Sequence, residues 1–343
     1  MNIYDVSERA NVSIATVSRV INGNPNVSEK TRNRVLAVME ELGYTPNVFA
    51  RSLGLGTMRT IGIMCADSSD PWLAGAIYYL EQELRRNGYD SLLCCSGYLP
   101  ETKKKYLELL LSKRVDAVIL AGSHYVEAKQ KDNAYLLEAS KELPVMLVNG
   151  CLEGKQIYST VCDDRTAVYE SVTRLIQSGH TSVLYLYAGS SYSNLQKLAG
   201  YHDACAAAGL IIRDDLIRIC PKDLDGTEEL LQSLAAAGIK FDAVFAAEDV
   251  MAVGAVKYAC RAGIKIPEEM NIIGYNNSIL ARCTDPELTT VDNKVESLCT
   301  TTVTTLMKVL EGGNVPVKTT ISAELIKRGT TNCLLYTSPS PRD

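Results

Sequence analysis

No stretch of this chain stays apolar for the roughly 18 residues that a membrane span requires, and no secretory leader opens it. These absences lead one to expect a cytoplasmic protein with no membrane partner. Histidine is scarce, with only His124, His180 and His202, and the three form no catalytic triad. His180 falls in a turn before a strand and reads as structural. There is no G-x-S-x-G, no H-E-x-x-H and no P-loop. The segment GLGTMR (Gly54–Arg59) lacks the third glycine of a dinucleotide fingerprint and precedes a strand where that fingerprint follows one. Neither an enzyme nor a cofactor is expected. The 11 cysteines include no C-x-x-C pair, and their number is odd. Most lie in apolar strands or helices, as in LLCCSG, where buried reduced thiols belong, so no metal site is expected. Nor is there an excess of positive charge: the net charge is −5, which alone argues against a nucleic-acid partner.

The distribution of charge says more than its sum. Residues 1–60 hold seven Lys and Arg against five Asp and Glu, and the remainder holds 28 against 35. A mildly basic N-terminal segment precedes an acidic body. With 343 residues, 46% apolar and 22% charged, the chain has the composition of a globular protein of two or three domains.

The segment VSIATVSRVINGN (Val12–Asn24) reads as a short helix. Ser13 is an N-cap and Asn22-Gly23-Asn24 a stop signal. Val17, Val20 and Ile21 share one face; Ala15, Ser18, Arg19 and Asn22 share the opposite one, which is small and donor-rich. Asn2 caps an earlier helix over residues 3–10, with Val6 and Ala10 inward. Only Asn11-Val12-Ser13 separates the two, the spacing of a helix-turn-helix. A third helix, capped by Ser28, is expected over 29–42, with Val35, Leu36 and Met39 closing a small core. In such a unit the second helix enters a major groove and Arg19 can grip a guanine edge through two hydrogen bonds; in a plain bundle Arg19 is merely solvated.

Residues 2–53 resemble the DNA-binding headpiece of the lactose/galactose-repressor (LacI/GalR) family. The likeness rests on Tyr4-Asp5-Val6, Ala10, Val12-Ser13, Thr16 to Val20, Asn22, Val27-Ser28, Thr31-Arg32, Gly43-Tyr44, Pro46-Asn47, Ala50-Arg51 and Leu53. The resemblance implies DNA contacts from Tyr4, Ile14, Ala15, Thr16, Ser18, Arg19 and Asn22. It implies further ones from Asn47, Ala50 and Leu53 in a hinge helix, where Leu53 wedges into the minor groove against its dimer partner. The alternative for 46–59 is a linker helix packed on its own body. Ile14 and Ala15 can read thymine methyls or simply fill space.

From Thr60 onward apolar strands alternate with helices. TIGIMCA, SLLCCS, VDAVILAG and PVMLVNG form one run. After YSTVCDD the pattern restarts with SVLYLYAG, FDAVFAA and NIIGYN, and ISAELIKRG reads as a last strand. This predicts two α/β lobes with parallel sheets covered on both faces. DSSDPW, YLELLLSKRVDAVILAGS, KLAGYHDACAAAGL, AAEDVMAVGAV, IIGYNN and PELTTVDN are similar to the periplasmic-binding-protein-like sensor of the same family. That likeness extends the resemblance to about residue 329 and implies that the last segments cross back between the lobes. The expected architecture is a small all-α helix-turn-helix headpiece (1–45), a hinge and linker (46–59), and a body of two doubly wound parallel-sheet lobes (60–330). Residues 331–343 form a tail. Its Pro/Ser-rich end CLLYTSPSPRD, from Cys333, looks like a translated sequencing-adapter scar, outside the fold.

Parallel lobes turn their strand C-termini toward a shared cleft. The candidates are the residues just after the strand ends, 67–72, Ser123, Asp163-Asp164, 190–197, Glu248-Asp249 and Asn276-Asn277, and ligand contacts are expected among them from Trp72, Asp163, Ser191, Ser193, Lys197, Glu248 and Asn276. Trp72, the single tryptophan, suits stacking on a sugar ring or base, and equally suits a core position. In the resembling family Lys197 falls where an arginine is usual, Asn276 where an aspartate is common and Glu248 where amides are found, so no relative's effector is transferred. The expected function is a homodimeric, ligand-responsive transcriptional repressor. Its partners are a pseudo-palindromic double-stranded operator and a small polar effector, a sugar or derivative. The competing reading is a sugar- or nucleoside-binding protein without regulatory DNA binding.

Overall fold

The computed structural model describes residues 2–44, 57–127 and 129–332. The expectations for Asn47, Ala50, Leu53 and the Cys333–Asp343 tail lie outside the described residues.

The N-terminal unit is three helices, α1 (Ile3–Arg9), α2 (Ile14–Ile21) and α3 (Glu29–Glu41). Each begins at a side-chain cap. Asn2 and Asp5 form a reciprocal capping box, Ser13 accepts from the Thr16 N–H, and Ser28 from the Thr31 N–H. Val6, Ala10, Val17, Val20, Val35 and Val38 make the core, with Met39 and Leu42 against it. Leu36, expected inside, is 46% exposed, and Val38 takes its place. The inward face of α3 repeats at 35, 38, 39 and 42. A residue one step from Val35 is turned about 100° away from that face.

The body holds two six-stranded sheets. The first lobe contains β1 (Thr60–Cys65), α4 (Pro71–Arg86), β2 (Asp90–Cys95), α5 (Pro100–Ser112), β3 (Ala117–Ala121), α6 (Ala134–Ala139), β4 (Val145–Val148) and β5 (Ile157–Cys162). The second contains α7 (Asp164–Gln177), β6 (Val183–Tyr187), α8 (Tyr192–Ala207), β7 (Ile217–Ile219), α9 (Leu224–Ala236), β8 (Ala243–Ala246), α10 (Asp249–Ala262), β9 (Asn271–Tyr275) and β10 (Thr289–Asp292). The chain then returns as α11 (Val295–Leu310) and β11 (Lys318–Ile321) before ending in β12 (Glu324–Ile326).

Sheet order is β11-β5-β4-β3-β1-β2 in the first lobe and β12-β10-β9-β8-β6-β7 in the second. The segment read as one last strand is thus split. Ile321 closes β11, parallel to β5 in the first sheet, while Glu324–Ile326 pairs antiparallel with β10 in the second. Between the lobes the chain crosses near Asp163, near Asn293 and between Ile321 and Glu324. α11 belongs to the first lobe by packing: Leu298, Cys299, Val303 and Leu306 join a core with Ile61, Ile63, Leu80, Ile119 and Met146. The short α6, β7 and the helix α9 had no counterpart in the sequence reading. Cys65, Cys94, Cys162, Cys205, Cys220 and Cys299 are buried free thiols, whereas Cys95, Cys260 and Cys283 are exposed.

Helices α7 and α8 touch at backbone distance. A Cβ built on Gly200 of α8 would lie 2.3 Å from the Arg165 carbonyl oxygen and 3.0 Å from the Tyr169 nitrogen. In an open helix Gly→Ala is favourable by up to about 1 kcal/mol. Here the helices must separate, so Gly200→Ala is expected to destabilise by about 1–3 kcal/mol, read as a lower urea midpoint at unchanged slope.

Candidate functional site

Two surfaces stand out, one on α2 and one between the lobes. The turn before α2 is fixed locally. Asn11 takes a left-handed φ of 51°, and the Ser7 hydroxyl donates to the Val12 carbonyl at 2.6 Å. With Val17 and Val20 buried, the outer face follows by periodicity. Ile14 is 39% exposed, Ala15 and Arg19 are exposed, and Thr16, Ser18 and Asn22 are half-buried. Tyr4, at 66% exposure, stands out from α1. Asn22 turns its amide back toward Ser18, with Nδ2 3.4 Å from Oγ. Arg32 ties α3 to the end of α2 through the Asn24 carbonyl at 2.7 Å. A rigid platform thus displays Arg19 beside small side chains, which is what close approach to a groove requires.

The second surface collects the residues that follow the strand C-termini. An inner cavity of about 50 Å³ is lined by Trp72, Ser191, Ser193, Lys197, Glu248 and Asn276, all expected as contacts, by Asp70, Ser123 and Asn194 from the wider set of candidates, and by His124, Asn149 and Lys222 from outside it. An outer cavity of about 250 Å³ shares Asp70, Trp72, Lys222, Glu248 and Asn276, and adds Asp67, Tyr98 and Asp249. Asp163 is not among the lining residues. It caps α7, its Oδ1 accepting from the Thr166 N–H at 3.2 Å. Its neighbour Asp164 turns inward instead, 1% exposed, accepting from the Ser193 and Tyr275 hydroxyls at 2.6 Å each.

The polar groups of the cleft hold one another. The Trp72 indole N–H donates to Asn293 Oδ1 at 3.1 Å, and Asn293 Nδ2 donates to Asn276 Oδ1 at 3.0 Å. The indole is therefore half-buried and fixed, with its edge satisfied and the cavity beside it. Across the lobes the Ser123 hydroxyl donates to that of Ser191 at 2.9 Å. Lys197 is 4% exposed; its Nζ donates to the Ala247 carbonyl at 2.9 Å and lies 3.7 Å from the Tyr275 ring centre. Burial lowers its pKa, against the attraction of Asp164 and Glu248. Burial raises Asp164, and Lys197, Ser193 and Tyr275 oppose it. Burial likewise lifts Asp249 to about 6, although Thr290 and the Ser278 N–H hydrogen-bond its carboxylate.

Lys222 is the main omission from the expected candidates. Lys222 follows a three-residue strand too short to show periodicity. Asp70 carries a legible signal, an acid before Pro71 at a helix start, but that signal also describes an ordinary cap. His124, which belongs to no triad, lines the cavity edge-on to Tyr98 with 5.0 Å between ring centres.

Burial lowers the His124 pKa to about 4, and Lys222, Lys103 and Lys197 add to the shift. The folded value lies below that of the unfolded chain, so between about pH 6.5 and 4 the unfolded chain binds a proton that the native state refuses. Stability due to this residue is present above that window and falls as pH drops through it. Of the three histidine ring signals in an NMR titration, that of His124 is expected to stay unprotonated above about pH 5. His124→Asn should remove part of the acid sensitivity of the melting temperature. A ring titrating near 6.5 would mean that His124 is solvated.

Comparison with known proteins covers both parts of the chain. Residues 2–47 match the family model described as bacterial regulatory proteins, lacI family. Residues 58–328 match that of periplasmic binding proteins and the sugar binding domain of the LacI family. An HTH-type transcriptional regulator of Lachnoclostridium phytofermentans is 60% identical over 97% of this chain and 100% of its own length. The HTH-type transcriptional regulator GalR of Escherichia coli is 34% identical over 95% of this chain and 94% of its own. Among solved structures, the Lac repressor dimer bound to operator and the anti-inducer ONPF superposes with a TM-score of 0.87 at 25% identity, covering 96% of this chain and 98% of that one. The chain belongs to the LacI family of bacterial regulatory proteins, whose helix-turn-helix and two-lobed binding body it carries in order.

Proposed function

We propose that the protein is a ligand-responsive transcriptional repressor that binds a pseudo-palindromic operator as a homodimer and senses a small polar metabolite, a sugar or derivative. It works in the cytoplasm by binding, not by catalysis. The observation that carries the reading is the exposed Ile14, Ala15 and Arg19 on α2, held in place by the Ser13 side-chain cap and the Ser7–Val12 bond. Such a helix offers Arg19 to a guanine edge and Ile14 and Ala15 to thymine methyls.

The effector reading draws support from the lining of the cleft, an indole flanked by hydroxyls, amides and carboxylates. This combination suits a ring with an apolar face and a polar rim. The family model for the body describes a sugar binding domain. A dimer is supported by the edge strand β2, which leaves Leu92 and Leu93 36% and 45% exposed on opposite faces, near exposed Leu99. The small charge excess of one headpiece points the same way, since few phosphate contacts bind weakly.

Selection from random duplexes followed by gel shift tests the DNA reading. Arg19→Ala is expected to weaken a selected operator by about 1–3 kcal/mol while the body keeps its fold. Undiminished affinity would remove α2 from the interface. For the cleft, a panel of sugars, sugar phosphates and nucleosides is followed by tryptophan emission, to which only Trp72 contributes. Trp72→Leu is expected to cost the responding compound on the order of 1 kcal/mol or more. Equal calorimetric affinity of wild type and variant would assign the indole to the core alone.

A further inference from the structure

Lys222 stands in the loop between β7 and α9, on the second lobe. Its Nζ lies 2.6 Å from Glu248 Oε1 on the same lobe and 3.7 Å from Asp70 Oδ2 on the first. The three side chains are only 27%, 14% and 15% exposed. Both carboxylates are held ready for the ammonium. Glu248 is the N-cap residue of α10 but makes no side-chain cap bond, so its carboxylate is left for Lys222. Asp70 divides its oxygens: Oδ1 accepts from the N–H groups of Trp72 and Leu73, and Oδ2 faces Lys222. Apart from those at the crossover segments, Lys222–Asp70 is the ion pair that joins the two lobes among the described residues.

The bar formed by Lys222 and its two acids lies where the inner and outer cavities meet, since all three residues line both. At about 50 Å³ the inner cavity has room for a few waters and not for a sugar ring. The bar stands between the outer cavity and the inner one, which Lys197 and Ser191 line.

We propose that Lys222 is an ionic latch across this cleft: its ammonium holds Asp70 and Glu248 together in the ligand-free protein, and entry of the effector requires it to release Asp70. The proposal rests on the reading of the cleft as the effector site. Binding is then an exchange, in which hydroxyls of the effector donate to carboxylates that the ammonium gives up. Anything that weakens the pair favours entry of an uncharged ligand. The pair reaches solvent on one side, so salt weakens it, though less than a fully exposed pair.

The test uses the full chain as wild type, Lys222→Met, Asp70→Asn and the double variant. Asparagine caps a helix as well as aspartate does, so α4 keeps its start. The first measurement needs no effector: acrylamide quenching of Trp72, two residues from Asp70. Quenching is expected to increase in both single variants, with no further increase in the double one. It should rise with salt from about 50 to 500 mM in wild type only. The second measures affinity for an uncharged sugar from the panel. Lys222→Met is expected to bind about two- to fivefold tighter than wild type at low salt and to lose the salt dependence. Should Lys222→Met fail to fold, by circular dichroism, Asp70→Asn carries both measurements. Quenching that is unchanged, or additive in the double variant, overturns the latch whether or not a sugar binds. Weaker sugar binding by Lys222→Met also overturns it, by making Lys222 a ligand contact. If quenching responds as expected and no compound binds, the latch stands and the effector reading fails.

Discussion

The carboxylate of Asp164 sits where the chain leaves the first lobe for the second, one position past the residue that caps α7. At 1% exposure it would cost several kcal/mol if its charge were unsatisfied. The hydroxyls of Ser193 and Tyr275 satisfy it, and the nearby Lys197 ammonium opposes the burial. The consequences spread outward from this one group. Ser193 fixes the first turn of α8, which carries Ser191 and Lys197 into the cleft. Tyr275 ends β9 immediately before Asn276. At the second crossing Asn293 plays the same part for the opposite wall, accepting from Trp72 and donating to Asn276. Both walls of the cleft are therefore positioned from the crossings, the places where the two lobes can pivot against each other.

The architecture was legible because the signals that specify it are local and repeated. Side-chain caps at Asn2, Ser13 and Ser28 mark three helices, and runs such as VILA and VLYL mark strands buried on both faces. Where the signal is short or shared between two readings, the sequence says less. Three-residue β7 gives no period, so Lys222 behind it could not be placed. ISAELIKRG reads as one strand because nothing local announces that Ile321 pairs with Cys162 while Leu325 pairs with Val291. Asp163 and Asp164 differ by a 100° step in helix phase, and adjacent acids at a helix start look alike until the helix packs. Leu36 was misplaced for the same reason, by one step of phase along α3.

The cleft places its charges unevenly. Lys197 and Lys222 both come from the second lobe, which also contributes Glu248 and Asp249, while the first contributes Asp67 and Asp70. Within this mixed field Lys222 and Asp70 are the opposite charges that face each other across the lobes, and the proposed latch is formed there. Burial keeps His124 neutral, and the charges of Lys222, Lys103 and Lys197 add to the effect. A neutral imidazole in that position can both donate and accept, which suits a hydroxyl. Closure and ligand preference thus draw on one set of charges, and a change at Lys222 acts on both.

Charge also bears on how the two ends of the protein work together. The body carries seven more acids than bases, and the N-terminal 60 residues carry two more bases than acids. An acidic body is repelled by phosphate, so in the proposed function affinity for DNA comes from the N-terminal segment. In the proposed dimer two such segments share one operator, and the second binds at the effective concentration set by the first. That gain exists only while both can engage together. The economical control is therefore over geometry: a shift of the lobes that separates the headpieces forfeits the gain without altering a single DNA contact. A coupling of about 1–3 kcal/mol between cleft and headpieces changes operator affinity by about 5- to 150-fold. A lobe-spanning ion pair that either holds or releases is of the right order to supply part of it.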